Sequence, residues 1–196
     1  EWQACLQALE GLQPFPAWVV ASGSLPPGVP VDFYAGVARL CRARGARLVL
    51  DAAGPALTAA LAEGVYLVKP NLRELGELLD EPLETPAAWQ EAAQGLVDRG
   101  AAEVVALTLG HLGAVLASRE GLWCADPLAV PVVSSVGAGD SFVGGMVWAL
   151  QQGQPLIDAF AWGVASGSAT LLTAGTALCC PDDVRRLRTQ VVITPR

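Results

Sequence analysis

Residues 48–68, LVLDAAGPALTAALAEGVYLV, decide the architecture. Two short apolar runs, 48–50 and 66–68, flank an Ala- and Leu-rich stretch at 57–62 that reads as a helix. A strand that returns through a helix to the next strand lies parallel to it, because antiparallel neighbours need only a tight turn. The same alternation extends outward in both directions. Upstream, 18–21 reads as a strand and 32–44 as a helix. Downstream, helices are expected at 72–79 and 89–98, joined by a link punctuated by Pro82 and Pro86, and then a strand at 104–109. Short runs at 115–118, 122–125 and 129–133 suit an antiparallel hairpin edge. Helices at 140–151 and 156–172 follow, and a last helix at 182–189 closes the chain. The expectation is an α/β fold with a mostly parallel sheet. Residues 1–196 are expected to form one domain, since no repeat, low-complexity tract or linker divides them.

The chain has 196 residues, 53% of them hydrophobic, and a mean hydropathy of +0.43, so a membrane span has to be tested. Stretch 159–180 carries no charge. Gly163, Ser166, Gly167, Ser168, Thr170, Thr173, Gly175 and Thr176 fill it, where a spanning helix would use Leu, Ile, Phe and Val. A buried helix packed closely through small residues, followed by a Gly-Thr loop, accounts for it better. Trp148 and Trp162 fall within apolar helical patterns and read as core. Net charge is −7 with no basic run, so the electrostatic footprint of a nucleic-acid binder is missing. Five cysteines, Cys5, Cys41, Cys124, Cys179 and Cys180, lack metal-like spacing, and reduced cytoplasmic thiols are the plain reading. Glu1 opens directly into a helical face of Trp2, Cys5, Leu6, Leu9 and Leu12, which reads as a fragment of a longer protein.

Chemistry in open α/β sheets gathers where strands end and helices begin, and four stretches sit there. Val136-Gly137-Ala138-Gly139-Asp140-Ser141 is a Gly-rich turn entering an apolar helix. Its amides and the helix N-terminus suit a phosphoryl group, and Asp140 could accept a proton beside it. An Asp that merely favours the macrodipole has the same appearance. In Lys69-Pro70-Asn71-Leu72-Arg73-Glu74, Asn71 and Glu74 could hold Mg²⁺ while Lys69 meets phosphate; a capping-box helix start explains the same spacing. Thr108-Leu109-Gly110-His111-Leu112-Gly113 could cradle phosphate or ribose, or be a hairpin loop with His111 in solvent. Ser22-Gly23-Ser24-Leu25-Pro26-Pro27-Gly28 is a rigid loop able to present a hydroxyl to a sugar, or a plain turn.

Together, in this order and spacing, these stretches resemble the ribokinase/PfkB carbohydrate kinases, whose signature includes the Gly-Ala-Gly-Asp segment found here at 137–140. The wording SGSLPPG, LVKPN, VGAGDS and GTALC is similar to the phosphofructokinase branch, nearest its bacterial minor type. The resemblance implies a three-layer α/β/α ribokinase-like domain whose N-terminal part and β-lid lie outside this sequence. It implies ATP and Mg²⁺ as cofactors and a sugar phosphate as substrate, most simply fructose 6-phosphate, with fructose 1-phosphate or tagatose 6-phosphate as alternatives. An ATP-binding fragment without turnover is the reading from another class.

By the same resemblance Asp140 is the catalytic base, and the amides of Gly137, Ala138 and Gly139 form the anion hole. Lys69, Asn71, Thr108, Gly110, Gly113, Val164 and Ser168 hold the nucleotide. Asn71 and Glu74 handle Mg²⁺, directly or through water, and Ser24 contacts the sugar phosphate. A monovalent cation such as K⁺ would sit on carbonyls of Ser134 and Val136 near segment 170–175; Ala177 departs from a longer polar residue in relatives. A homodimer of the full-length parent, a cytoplasmic location and the absence of nucleic-acid or membrane partners complete the expectation.

Overall fold

Seven strands and eight α-helices make up the computed structural model, which describes all 196 residues. Strand order follows the sequence, β1-β2-β3-β4-β5-β6-β7. The chain divides into two compact units, Glu1–Val105 with Ala117–Glu120, and Ala106–Leu116 with Gly121–Arg196.

The first unit contains α1 (Trp2–Glu10), β1 (Trp18–Ser22), α2 (Phe33–Ala43), β2 (Arg47–Asp51), α3 (Gly54–Leu61), β3 (Val65–Val68), α4 (Leu72–Leu79), α5 (Pro86–Asp98) and the start of β4 (Ala102–Thr108). Neighbours from β1 to β4 pair in parallel, with Ser22 opposite Asp51, Leu50 opposite Val68, and Val68 opposite Val105. Leu48, Val49, Leu50, Leu67 and Val68 are all buried, as strands covered on both faces require. Each such side chain contributes about 1.5–3 kcal/mol. Helix α2 buries Tyr34, Val37, Ala38 and Cys41, one face at helical spacing. Helix α3 begins three residues before the expected 57, because Pro55 suits a first turn that needs no N–H donor. Thr85 likewise starts α5 early, its Oγ1 accepting from the amide of Ala88 at 3.2 Å.

The second unit holds β5 (Ala114–Ser118) up to Leu116, β6 (Gly121–Ala125), α6 (Ala138–Gln151), α7 (Leu156–Thr170), α8 (Pro181–Arg188) and β7 (Ile193–Pro195). Two expectations fail here. Residues 129–133 form no strand, since Pro131 removes a donor from the middle of the run and Pro127 precedes it. On the side away from β5, β6 pairs instead with β7, antiparallel and with Cys124 opposite Thr194, so a strand and not the helix at 182–189 is the last element. Trp148 also departs from its core assignment. It is 47% exposed and stacks edge-to-face on Trp162, centroids 5.0 Å apart. The long apolar pattern of α6 wraps past its buried face of Phe142, Val143, Met146 and Ala149, and Trp148 falls outside it.

The small residues of α7 have a packing cause. A Cβ on Gly145 of α6 would strike Ser166 and the carbonyl of Trp162, and one on Gly163 would lie 3.1 Å from the carbonyl oxygen of Phe142. The two helices therefore touch backbone to backbone. No helix of the structure is long and apolar enough to cross a membrane. All five cysteines are free thiols.

Candidate active site

In the first unit the parallel register brings the C-terminal ends of β1, β2 and β3 side by side. Asp51 ends β2, and Lys69 follows β3. Lys69, the chain's lone lysine, is buried, with Nζ 3.1 Å from Oδ1 of Asp51. An ammonium so placed needs a partner to offset its lost hydration. Asp51 was absent from the sequence-based candidates, although the parallel pairing of β2 with β3 would have pointed to it. The loop after β1 is tied to the same edge: the amide of Gly23 donates to the carbonyl of Asp51 at 2.9 Å, and Tyr34 Oη donates to the carbonyl of Gly23 at 2.9 Å. Burial first, and the nearby Asp51 charge second, push the Tyr34 phenol above its ordinary value. Ser24 follows in that loop and, with Gly23, Ala53 and Pro55, lines a cavity of about 250 Å³.

Asn71 and Glu74 meet directly. Asn71 Oδ1 accepts from the Glu74 amide at 2.9 Å, and Glu74 Oε2 accepts from the Asn71 amide at 2.9 Å. This capping box starts α4 and aligns the two side chains on one helix end. It uses one carboxylate oxygen of Glu74, so Oε1 lies outside the box. The capping and metal readings of this pair are thus compatible in geometry: the box fixes the rotamers, and hard oxygen donors are what Mg²⁺ takes.

The second unit carries the remaining candidates. Gly137 is the N-cap of α6 with φ 77°, and no side chain caps the helix. A β-carbon would be strained at that φ, so glycine is favoured. The first-turn amides of a helix have no partner inside it, and here that turn includes Ala138, whose amide donates to the carbonyl of Ser135 at 3.3 Å, with Gly139 and Asp140 following. The helix begins two residues earlier than 140, which puts Asp140 inside the first turn. Gly167 of α7 packs against the start of α6. On the same helix Val164 is buried and Ser168 half-buried.

Ser134 and Val136 belong to a loop fastened to the segment after α7. Ser134 Oγ donates to the carbonyl of Gly175 at 3.1 Å and accepts from the Val136 amide at 3.2 Å. Thr173 Oγ1 lies 2.8 Å and 2.9 Å from the carbonyls of Thr170 and Ala177. Thr108 ends β4, and Gly110–Leu112 form a single 3₁₀ turn with His111 exposed. The amide of Leu109 donates to the carbonyl of Gly113 at 2.9 Å. Gly113, at φ 94°, faces the carbonyl of Ala125 where a Cβ could not fit.

A family described as pfkB family carbohydrate kinase matches residues 9–183. The chain is 44% identical over 186 residues to the ATP-dependent 6-phosphofructokinase isozyme 2 of Mycobacterium tuberculosis, covering 95% of this chain and 55% of that protein. It is 35% identical to the 1-phosphofructokinase of Bacillus subtilis, covering 99% of this chain and 63% of that protein. The crystal structure of phosphofructokinase-2 from Escherichia coli in complex with potassium matches with a TM-score of 0.91 at 36% identity, covering 97% of this chain and 62% of that one. The fold is therefore the three-layer α/β/α ribokinase-like fold. The chain spans less than two thirds of the length of these relatives.

Proposed function

The chain belongs to the pfkB family of carbohydrate kinases, and from that premise we propose that its whole protein transfers the γ-phosphoryl group of ATP to a hydroxyl of fructose 6-phosphate. The observation that carries this reading is the VGAGDS turn at the uncapped start of α6, with Asp140 in the first turn. Asp140 takes the proton of the acceptor hydroxyl as phosphoryl transfer proceeds. The amides at Gly137, Ala138 and Gly139 receive the charge that spreads over the phosphoryl oxygens. The 44% identity to a protein named 6-phosphofructokinase isozyme 2 supports the substrate.

Asn71 and Glu74 hold Mg²⁺, directly or through water, and Mg²⁺ neutralises phosphate charge when bound. Lys69 supplies a fixed cation to phosphate. Thr108, Gly110, Gly113, Val164 and Ser168 line the nucleotide side, and Ser24 reads the sugar phosphate. The carbonyls of Ser134 and Val136 hold a monovalent cation; the loop bonds to Gly175 and the potassium in the Escherichia coli structure support that assignment. The whole protein is proposed as a cytoplasmic homodimer that feeds sugar breakdown.

A second reading, fructose 1-phosphate as acceptor, is favoured by the Bacillus subtilis relative, which covers 99% of this chain. The deciding experiment supplies the whole protein with MgATP and, in turn, fructose 6-phosphate, fructose 1-phosphate and tagatose 6-phosphate, and reads kcat/KM for each. The highest value for fructose 6-phosphate is expected. A higher value for either of the others reassigns the substrate, and no turnover with any of the three overturns the kinase reading.

A further inference from the structure

A cavity of about 520 Å³ opens in the first unit where β2, β3 and β4 begin. In parallel strands this is the end opposite Asp51 and Lys69. Arg47, Val65 and Ala102, the residues at or beside the strand starts, line it together with Arg42, Arg119, Glu63 and Glu103. Nothing in the phosphoryl-transfer reading uses this end of the sheet.

Its charge runs against that of the chain. Net charge is −7, yet four of the twelve basic residues, Arg39, Arg42, Arg44 and Arg47, fall within residues 39–47. No two are adjacent, so the sequence shows no basic run, but Arg39, Arg42 and Arg44 fall at the C-terminal end of α2 and Arg47 opens β2, and of the four Arg42 and Arg47 line the cavity. Arg39 and Arg42 are committed to Glu63, at 2.7 Å and 3.1 Å. Their hydrogen bonds, Arg39 first, hold the Glu63 carboxyl below its ordinary value. Arg47 and Arg119 take part in none of the seven ion pairs of the chain.

Arg47 is nevertheless held in place. Its guanidinium carbon lies 5.0 Å from the ring centre of Trp18 and 4.9 Å from that of Tyr66, and the two rings meet edge-to-face at 5.2 Å. Aromatic faces fix the plane of a guanidinium without consuming its N–H donors. The entropy of ordering this side chain is spent on folding and does not have to be spent again on a ligand. A planar fork with its donors open matches two phosphate oxygens.

We propose that this cavity binds a small phosphomonoester, with its phosphate gripped by Arg47 and Arg119. The volume lies within the range of about 300–1,000 Å³ typical of small-molecule sites and exceeds what a lone phosphate fills. Glu103 on the lining supplies an acceptor for hydroxyl groups on the body of such a ligand.

The test is calorimetric titration of the chain with glycerol 3-phosphate, with MgATP kept saturating so that the α6 end is occupied. Wild type is expected to bind, and Arg47→Gln and Arg119→Gln each to weaken binding roughly tenfold or more, as loss of a charge-assisted bond implies. Arg119 is exposed and makes no ion pair, so Arg119→Gln decides the matter even if Arg47→Gln unsettles the fold. Undiminished binding in Arg119→Gln, binding that appears only when MgATP is left out, or no binding at millimolar ligand would overturn the proposal. Equal affinity for inorganic phosphate would overturn the assignment to a phosphomonoester.

Discussion

A Cβ on Gly167 would lie 3.1 Å from the carbonyl oxygen of Ala138, so α7 meets the first residue of α6 with no side chain between them. Gly144, on α6, has nothing within 4 Å of the same hypothetical atom. Gly167→Ala is therefore expected to cost about 1–3 kcal/mol of stability through overpacking. Gly144→Ala should be neutral or stabilise by up to about 1 kcal/mol through helix propensity. Urea unfolding of the two variants checks the contrast.

Asn71→Ala removes the cap of α4 and should lower stability by about 1 kcal/mol. Glu74→Gln keeps an oxygen that can accept from the Asn71 amide, so stability should hold within about 0.5 kcal/mol. The same change removes a negative charge from the proposed Mg²⁺ site, and the Mg²⁺ concentration needed for half-maximal turnover should rise. Equal Mg²⁺ dependence in Glu74→Gln and wild type would count against the metal role.

Lys69→Met removes the ammonium from the Lys69–Asp51 ion pair, at a site where both side chains are largely shielded. A loss of about 3 kcal/mol is expected, with part of it recovered in the double variant with Asp51→Asn. Because Lys69 is the lone lysine, an amine-selective reagent offers a second check. In the folded chain it should label the N-terminus and leave Lys69 protected until denaturant is added.

Asp140→Asn in the whole protein should bind ATP normally while turnover falls on the order of 10²–10⁴-fold, the usual contribution of a general base. Near-normal turnover removes Asp140 from that role.

Burial pushes the Cys41 thiol up to about 11. The folded state keeps this proton when the unfolded chain, titrating near 9.0, has released it. The stability linked to Cys41 is thus fully present below pH 9 and lost as pH rises through about 11. Cys41→Ala should flatten that stretch of the stability curve. At pH 8 a thiol reagent should modify exposed Cys5 and Cys180 well before Cys41.

The reach of the sequence differed by element for physical reasons. Residues 48–68 and 72–79 were readable because local signals agreed: apolar runs for buried strands, and Asn71 with Glu74 for a helix start that the structure shows as a complete capping box. Asp51 was hidden because its meaning arises only from the residue register of β2 against β3, which sets the end of one strand beside the residue that follows the other and which the run pattern alone does not give. Strand β7 was hidden for a similar reason. Three residues ending in Pro195 have weak propensity, and they become a strand only because β6 offers an open edge. The error at 129–133 came from weighing valines above Pro131. Trp148 misled because the helix containing it is apolar on more than one face.

The backbone seam between α6 and α7 bears on how this protein can change over generations. Gly145, Gly163 and Gly167 set the spacing through the carbonyls of Trp162, Phe142 and Ala138 and the side chains of Ser166 and Phe142, so the position of the Gly137–Asp140 turn rests on this seam more than on the hydrophobic side chains that fill the interior elsewhere. Mutational drift can exchange leucines for valines or methionines in the rest of the second unit and leave the amides of that turn where they are. The three glycines have no such latitude.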